Sequence, residues 1–455
     1  MTSFHTTNPT TGKLIKSYET LSKSELEIKI ALAQTTFTTW KKSSFKDRSK
    51  LLLSVAEILT AKRLELAELM TLEMGKRKSE GLAEIDKCAL VCKYYATNAE
   101  SQLQDQLVQT EAAKSYIKFA PLGVIFAIMP WNFPFWQVFR AACPAIMAGN
   151  TILLKHASSV PACALAIECM FKEAGARAGV FQTLLISGAE TDTVISNPAV
   201  RLVSLTGSEE AGMKVAALAG THIKRTVLEL GGSDPFIVMP DADIELAAKT
   251  AAVARMIVSG QSCIAAKRFI VHKDIKDEFI QIFKSTLESK KIGDPADDST
   301  DVGPLSSASI RDTIHDQVER SIKQGAVLVT GGKVPTGSGF FYPPTILKDV
   351  TVDMVVAQEE TFGPVAAVIT VNSKEEALEI ANNSHFGLGS SVWSNDKETI
   401  SYFTDNLEAG CVFVNSMVKS DPRLPFGGTK FSGYGRELSE YGIKEFVNIK
   451  TIWLN

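Results

Sequence analysis

The sequence predicts an α/β fold built on two parallel sheets. Short apolar runs alternate with helical segments twice along the chain, over residues 123–219 and again over residues 226–415. Buried strands that alternate with helices indicate βαβ units, whose strands run parallel and are covered by helices. The chain has 455 residues, which is too long for one hydrophobic core and predicts two or three domains.

The first hundred residues are predicted to be helical, over residues 22–62 and then 63–100. Ser22 can cap the first helix, and apolar residues recur at helical spacing between Leu51 and Leu59. The next stretch, SQLQDQLVQTEAAK, is polar, and we expect it to leave the main body of the protein.

The first α/β unit follows this polar stretch. Its predicted elements in chain order are strand 123–129, helix 135–148, strand 151–155, helix 162–174, strand 180–186, helix 190–196, strand 200–205 and helix 208–219. Such sheets bind ligands at the carboxyl ends of their strands.

A second α/β unit begins near Gly231-Gly232, where we place a domain boundary. The tail after Arg436 ends in a strand-like run, FVNIKTIWL. The predicted elements between these points are helix 242–258, strand 265–271, helices 275–289 and 306–323, strands 326–330 and 365–371, helix 374–382, and strands 389–394 and 411–415.

Composition narrows the range of partners. The net charge is −3 and no block of like charge occurs, so we expect neither a nucleic acid nor a membrane surface as partner. The seven cysteines are sparse and odd in number, which is typical of a reducing compartment. Cys88 and Cys92 have no second ligand pair nearby and predict no metal site. The N-terminus shows no signal peptide, so a cytoplasmic protein is expected.

Cys263 is the first candidate for chemistry. It lies in SGQSCIAAKRFIV, between a helix-like and a strand-like run, with Lys267 and Arg268 close behind it. A thiolate at such a boundary can act as a nucleophile, although an isolated cysteine is more often a buried apolar residue. Glu229 precedes it by 34 residues and follows an apolar strand. This carboxylate is either paired structurally or a base whose pKa is raised.

Three further motifs follow predicted strands. Asn132 ends the strand 123–129 and is either an oxyanion donor or a turn residue. Gly207-Ser208 opens a helix, where it suits a phosphate or serves as an ordinary N-cap. Lys155-His156-Ala157-Ser158 ends another strand, and its lysine either reaches a ribose or phosphate or is solvated.

In this order and spacing the motifs resemble the aldehyde dehydrogenase superfamily, from Asn8-Pro9 to about Trp453. The stretches GQSCIAAKRFIV and VNSMVKSDPRLPFGG are most similar to its bacterial NAD(P)-dependent succinate-semialdehyde dehydrogenase branch. The motifs are PWNFP (130–134), LLK (153–155), LTGSEEAG (205–212), LELGG (228–232), GQSC (260–263), EETFGP (359–364) and LPFGGTKFSGYGRE (424–437).

The resemblance implies two Rossmann-like parallel-sheet domains and a small oligomerisation arm. Residues 1–100 and 116–230 would form the cofactor-binding domain, and residues 231–420 the catalytic domain. Residues 101–115 and 437–455 would form the arm and join the chain into a homodimer or homotetramer.

The resemblance also implies a role for each motif. Cys263 would be the nucleophile, Glu229 the general base, and Asn132 the oxyanion donor with the Cys263 N–H. The thiohemiacetal would collapse to a thioester that water hydrolyses. The residues implied at the NAD or NADP cofactor are Lys155 and Glu360 at the riboses, Phe362 at the nicotinamide, Gly207 and Ser208 at the diphosphate, and Trp131, Asn132, His156, Ala157, Ser158 and Leu230 around them.

Two positions bear on specificity. Many NAD-preferring relatives carry a glutamate where this chain has Ser158, so the serine and Lys155 predict that NADP is accepted. Arg140 would receive the far carboxylate of succinate semialdehyde, since a planar guanidinium suits that group. Its alternative role is an interdomain salt bridge.

The chain departs from the pattern of succinate-semialdehyde dehydrogenases at Ile257, where some of these enzymes have a second arginine. Arg255 and Arg423 are possible substitutes for that arginine. The alternative substrates are uncharged aliphatic or aromatic aldehydes. An acylating, CoA-dependent reaction is disfavoured by Glu229, and a non-catalytic binding or structural protein by the intact set of Cys263, Glu229 and Asn132.

Overall fold

The computed structural model describes residues 3–455 and contains two large, mostly parallel sheets and a small antiparallel one. The strands in chain order are β1 (Ser3–Thr7), β2 (Leu14–Glu19), β3 (Gln106–Leu107), β4 (Lys114–Pro121), β5 (Val124–Met129), β6 (Thr151–His156), β7 (Phe181–Thr183), β8 (Val200–Thr206), β9 (Arg225–Glu229), β10 (Pro235–Val238), β11 (Arg268–His272), β12 (Val327–Thr330), β13 (Thr345–Lys348), β14 (Val365–Val371), β15 (Gly389–Trp393), β16 (Cys411–Val414), β17 (Gly433–Tyr434) and β18 (Val447–Leu454).

The helices cover the faces of the sheets and build the N-terminal layer. They are α1 (Lys23–Trp40), α2 (Phe45–Ala61), α3 (Arg63–Met74), α4 (Lys78–Gln102), α5 (Trp136–Met147), α6 (Pro161–Glu173), α7 (Thr191–Ser196), α8 (Glu209–Thr221), α9 (Ile244–Met256), α10 (Lys276–Glu288), α11 (Ala308–Lys323), α12 (Val355–Gln358), α13 (Lys374–Asn382), α14 (Lys397–Asn406) and α15 (Ser439–Glu445).

Local sequence explains where the first two helices begin. Ser22 and Ser44 each accept a hydrogen bond from the backbone N–H three residues later, and the carboxylates of Glu25 and Asp47 accept one from the N–H of the cap residue. These reciprocal capping boxes satisfy N–H groups that a helix start leaves free.

The first large sheet has the strand order β17-β9-β8-β5-β6-β7, and only β17 runs antiparallel to its neighbour. Its central strand β5 is almost wholly buried, because helices cover both faces. The second large sheet has the order β12-β13-β14-β11-β10-β15-β16, with β12 antiparallel at its edge. The predicted α/β class with two parallel sheets is therefore confirmed.

The small sheet has the order β18-β4-β3, and β18 pairs with β4 from Lys114 to Pro121. The predicted boundary at residue 115 divides β4, which by its pairing belongs with β18 rather than with the first large sheet. The local pattern did not predict β4 or the hairpin of β1 and β2, because their exposed, mostly polar residues carry no strong apolar alternation.

The architecture brings several chain segments to one place. Asn132, Lys155, Gly207 and Glu229 lie at or just beyond the carboxyl ends of β5, β6, β8 and β9, which are neighbours in the first sheet. Within residues 3–455, no helix is long and apolar enough to cross a membrane, and no group of three or more potential metal ligands occurs.

Candidate active site

Cys263 lies in a turn between the two large sheets. Helix α9 ends at Met256, and the chain then makes a tight turn in which Val258 and Ser259 have φ values of 50° and 54°. Gly260 follows with φ of 81°, and a Cβ there would lie 2.3 Å from Gly363. This close approach holds the cysteine segment against the loop that carries Glu360 and Phe362.

Lys267 anchors the backbone around the thiol. Its buried ammonium donates to the carbonyls of Ser262, Cys263 and Ala265 at 3.0, 2.8 and 3.2 Å. Glu360 Oε1 lies 3.4 Å from the same nitrogen and also accepts a hydrogen bond from the Gly232 N–H at 3.0 Å. One lysine therefore connects the cysteine turn to a residue expected at the cofactor.

Burial raises the pKa of the Cys263 thiol to about 12, although the charges of Arg140 and Lys267 oppose this rise. The side chain is nevertheless only partly buried, so a small molecule can reach it. At neutral pH the group is therefore mainly a thiol, and its attack on a carbonyl requires that the proton leaves.

Glu229 ends β9 and is 2% exposed, and neither carboxylate oxygen has a hydrogen-bond partner within residues 3–455. Burial raises its pKa well above the usual value; the Arg140 charge opposes this and the Glu437 charge adds to it. A Cβ on nearby Gly232 would lie 2.8 Å from the Cys263 carbonyl oxygen, so the end of β9 touches the cysteine turn. An unpaired carboxylate of raised pKa is suited to accept a proton.

Asn132 approaches the same turn from the end of β5. Its Nδ2 donates to the Gln261 carbonyl at 3.0 Å, and the side chain is buried. An amide nitrogen carries two N–H groups, so one remains for an oxygen that develops negative charge beside Cys263.

A cavity of about 270 Å³ opens beside these residues. Trp131 and Phe362 form an edge-to-face pair on its wall, with ring centroids 5.8 Å apart. Eight of the residues selected from the sequence line it, namely Trp131, Asn132, Gly207, Ser208, Leu230, Cys263, Glu360 and Phe362.

Ser208 is the N-cap of α8, where its hydroxyl accepts from the Ala211 N–H at 3.3 Å. The structure thus shows the N-cap reading of the Gly207-Ser208 motif, and it also places both residues on the cavity. The two roles are compatible, because a helix start leaves further N–H groups free and its dipole favours an anion.

The segment Lys155–Ser158, at the end of β6 and just beyond it, differs in part from expectation. Lys155 makes one long hydrogen bond, to the His156 carbonyl at 3.5 Å, and forms no ion pair within residues 3–455. Ser158 is exposed and Ala157 half-buried. His156, which the resemblance implies near the cofactor, is buried: it is 4% exposed, Nε2 donates to the Pro134 carbonyl at 2.8 Å, and Nδ1 accepts from the Ala157 N–H at 2.9 Å. Both ring nitrogens are occupied, so none is free for a phosphate.

The structure shows a protein partner for each of the three arginines named from the sequence. Arg140 forms a buried ion pair with Glu437 and donates to Thr206 Oγ1 at 3.3 Å. Arg255 is buried against the Gly260 carbonyl at 2.6 Å, so it supports the cysteine turn. Arg423 has a 78% exposed side chain and pairs with Asp421 at 2.7 Å. None of the three lines the cavity beside Cys263.

The sequence did not single out Glu437, and it did not predict the contacts of Lys87. Glu437 lies in the GRE motif, but only its contact with Arg140 shows that it faces the site. Lys87 lies on α4, and its neighbours Trp136 and Ser420 are distant in sequence. The helical pattern around Lys87 offered no signal of these contacts.

Comparison with known proteins identifies the family. The model of the aldehyde dehydrogenase family matches residues 1–452. The chain belongs to the aldehyde dehydrogenase family. It is therefore an oxidoreductase by family.

The relatives and solved structures agree with this assignment over the whole chain. A probable succinate-semialdehyde dehydrogenase [NADP(+)] of Synechocystis is 50% identical, covering 99% of both chains. A succinate-semialdehyde dehydrogenase [NADP(+)] of Mycobacterium leprae is 48% identical, covering 99% of this chain and 100% of the relative. The crystal structure of succinic semialdehyde dehydrogenase from Streptococcus pyogenes with NADP⁺ has a TM-score of 0.97 at 38% identity, covering 99% of both chains.

Proposed function

We propose that this aldehyde dehydrogenase oxidises succinate semialdehyde, or a similar short carboxylated aldehyde, to the acid with NADP as the hydride acceptor. The observation that carries the reaction is that Cys263 and Asn132 line one cavity, with Asn132 hydrogen-bonded to the cysteine turn and the unpaired Glu229 carboxylate at the end of the strand that leads to it. The named activities of the relatives at 48–50% identity support the substrate and the cofactor.

The first step is addition of the Cys263 sulfur to the aldehyde carbon. The thiol proton leaves to a carboxylate or to water, and the carbonyl oxygen becomes an oxyanion. The free N–H of Asn132 is positioned to donate to this oxygen. Such preorganised donors stabilise a transition state because they are aimed where charge develops.

NADP, when bound, supplies the acceptor for the hydride that leaves the former aldehyde carbon. What remains on the protein is a thioester at Cys263. Glu229 accepts a proton from the water that attacks this thioester, and the acid is released with the thiol restored. The raised pKa of Glu229 favours this role, because it makes the deprotonated carboxylate a stronger base.

The residues present fit the cofactor. Lys155 has an ammonium without an ion pair in the described chain, and Ser158 stands exposed beside it, where a carboxylate would repel a 2′-phosphate. Lys155 and Ser158 would hold the adenosine end, Gly207 and Ser208 the diphosphate, and Glu360 the second ribose. Trp131, Leu230 and Phe362 would enclose the nicotinamide.

A matrix of kcat/KM values tests the proposal. The wild-type enzyme is assayed by NADPH or NADH formation at 340 nm, with succinate semialdehyde, butanal and benzaldehyde, each with NADP and NAD. We expect the highest value for succinate semialdehyde with NADP. Equal values for butanal would overturn the substrate class, and a large preference for NAD would overturn the cofactor.

We also propose that the chain forms a homodimer or homotetramer in the cytoplasm. The edge strand β18 exposes apolar side chains, including Ile449 at 58%, Trp453 at 45% and Leu454 at 48%. An exposed apolar edge strand can pair with a second copy. The reducing cytoplasm suits the nucleophilic thiol. Light scattering after size exclusion tests the assembly, and a monomer at assay concentration would contradict it.

A further inference from the structure

Helix α4 carries two carboxylates one helical turn apart, and each accepts hydrogen bonds from a backbone segment of the candidate site. Glu84 Oε1 accepts from the N–H groups of Phe135 and Trp136 at 2.8 and 2.9 Å. Glu80 Oε1 accepts from the N–H of Val258 at 2.9 Å. Neither glutamate lines the cavity, so both act on the site through these segments. One helix of the N-terminal layer therefore holds two parts of the site that are far apart in sequence.

The first segment is the loop that carries Asn132. It leaves the end of β5 and enters α5 at the two N–H groups that Glu84 binds, three and four residues after Asn132. A helix start leaves such N–H groups without partners, and the buried carboxylate accepts from them. Lys76 holds this carboxylate by a buried ion pair, and its Nζ lies 3.9 Å from the ring centroid of Phe133. These contacts all fall within four residues of Asn132, so they restrict how far the loop can shift.

The second segment is the turn before Cys263. Val258 precedes the cysteine by five residues, is 2% exposed and has φ of 50°, a left-handed conformation that β-branched side chains rarely adopt. Such a conformation persists only where neighbouring groups hold it. Glu80 is one of these groups, and Arg77 fixes its carboxylate through two contacts of 3.1 Å. The hydrogen bond from Val258 to Glu80 thus helps to fix where the turn begins.

Asn132 and the cysteine turn meet between these two anchor points. Asn132 Nδ2 donates to the Gln261 carbonyl at 3.0 Å, and Gln261 Nε2 donates to the Val258 carbonyl at 3.1 Å. The second N–H of the Asn132 amide is the one that remains for the oxyanion. Its effect on the rate depends on its position relative to Cys263, because a misplacement of about 1 Å costs roughly 100-fold.

We propose that Glu84 and Glu80 are positioning residues for oxyanion formation: through α4 they set the separation between the Asn132 amide and the Cys263 turn. This role rests on the proposed function, because it concerns the addition step described there. The cation paired with each carboxylate contributes by holding it in place. A helix suits this task, since sites supported by helices are held more precisely than sites on loops.

The test measures two reactions of Cys263 in Glu84→Gln, in Asn132→Ala and in the double variant. The first is single-turnover formation of the reduced cofactor, followed by stopped flow at 340 nm with the aldehyde and the cofactor that the wild type uses best, both saturating. The second is alkylation of Cys263 by iodoacetamide, measured by peptide mass spectrometry, because no oxyanion forms in this displacement. The matched control is Glu100→Gln, which changes an exposed glutamate on the same helix.

Glu84→Gln should slow the single turnover by about 10- to 100-fold, because the neutral amide cannot pair with the buried Lys76 ammonium and the loop shifts. Its alkylation rate at Cys263 and its melting temperature should remain close to those of the wild type. In the Asn132→Ala background, Glu84→Gln should add less than about threefold, because the group that it positions is gone. Glu100→Gln should behave as wild type in both reactions.

An unchanged single turnover in Glu84→Gln would overturn the positioning role, as would the same loss with and without the Asn132 amide, or an equal loss in alkylation. If the wild type oxidises aldehydes without preferring succinate semialdehyde, only the proposed substrate fails, because any oxidised aldehyde serves in this test. A wild type that oxidises none would overturn the proposed function and this role with it.

Glu80→Ala, at a half-buried position, tests the role independently if Glu84→Gln does not fold. It should slow the single turnover by about tenfold, and only while the Asn132 amide is present. A loss of the same size in the Asn132→Ala background, or no loss at all, would overturn the role.

Discussion

Arg140 and Glu437 form an ion pair whose side chains are 3% and 0% exposed. The pair joins α5 of the first sheet to a residue close to the C-terminus, and it lies beside Glu229. The positive charge of Arg140 lowers the pKa of Glu229 and of Cys263, whereas the charge of Glu437 raises that of Glu229. The C-terminal segment therefore takes part in the electrostatics of the site.

Arg140→Met should destabilise the protein, because it leaves the Glu437 carboxylate buried without a partner. Breaking a buried pair costs about 3–5 kcal/mol. We expect a lower apparent melting temperature and reduced turnover of both succinate semialdehyde and butanal. Glu437→Gln should show a loss of similar size. If Arg140→Met keeps its melting temperature and loses only succinate semialdehyde, Arg140 binds the substrate carboxylate instead.

Glu229→Gln should retain a first-turnover burst of NADPH but lose steady-state activity, because thioester hydrolysis lacks its base. The wild-type kcat should rise with pH as Glu229 loses its proton, and burial moves this rise to higher pH because it raises the pKa of the carboxyl. Stopped-flow absorbance at 340 nm measures both the burst of NADPH and the steady-state rate. Equal loss of burst and steady state would instead assign Glu229 to thiol activation.

Gly427→Ala should displace the Glu229 carboxylate while leaving residue 229 a glutamate. A Cβ at residue 427 would lie 2.7 Å from Glu229 Oε1, and the residue has φ of 155°. We expect kcat to fall by about tenfold or more, which corresponds to ~1.4 kcal/mol, with the burst retained. Gly220→Ala is the control, because nothing lies within 4 Å of its added methyl group. Unchanged kcat in Gly427→Ala would show that the loop moves freely.

Ser158→Glu should shift cofactor preference from NADP towards NAD. The new carboxylate would repel a 2′-phosphate held near Lys155 and could bond ribose hydroxyls instead. We expect kcat/KM for NADP to fall by about tenfold or more while that for NAD is unchanged or higher. The isosteric Ser158→Cys serves as control. A uniform loss with both cofactors would place the phosphate elsewhere.

His156 should make the protein sensitive to acid. Burial lowers its pKa from 6.5 to about 4, so the unfolded chain binds a proton more readily than the folded one between these values. This contribution, roughly 3 kcal/mol, is fully present above pH 6.5 and is lost as the pH falls towards 4. The apparent melting temperature should drop more between pH 7 and pH 5 in the wild type than in His156→Gln. An equal drop in melting temperature in the wild type and in His156→Gln would contradict this role of His156.

The sequence predicted a helix or strand correctly where that element depends on its own residues. The apolar run of β5 predicted a buried strand, and α9 and β11 ended and began within a few residues of the predicted limits. The chain turns between them at Val258 and Ser259, and this strained turn carries no periodic signal. Strand β4 was missed for a similar reason, since its stability comes from pairing with β18, more than 300 residues away.

The sequence alone determined the α/β class, the family and the candidate set of Cys263, Asn132 and Glu229, because apolar periodicity and motif order are written along the chain. Only the tertiary structure decided which charges are free. In the fold Arg140 pairs with Glu437, and His156 is buried. Arg423 is exposed, and Lys87 lies beside Trp136 and Ser420. These outcomes depend on contacts between residues far apart in sequence, such as the 333 positions that separate Lys87 from Ser420. A charge is available to a substrate only when folding leaves it without a protein partner.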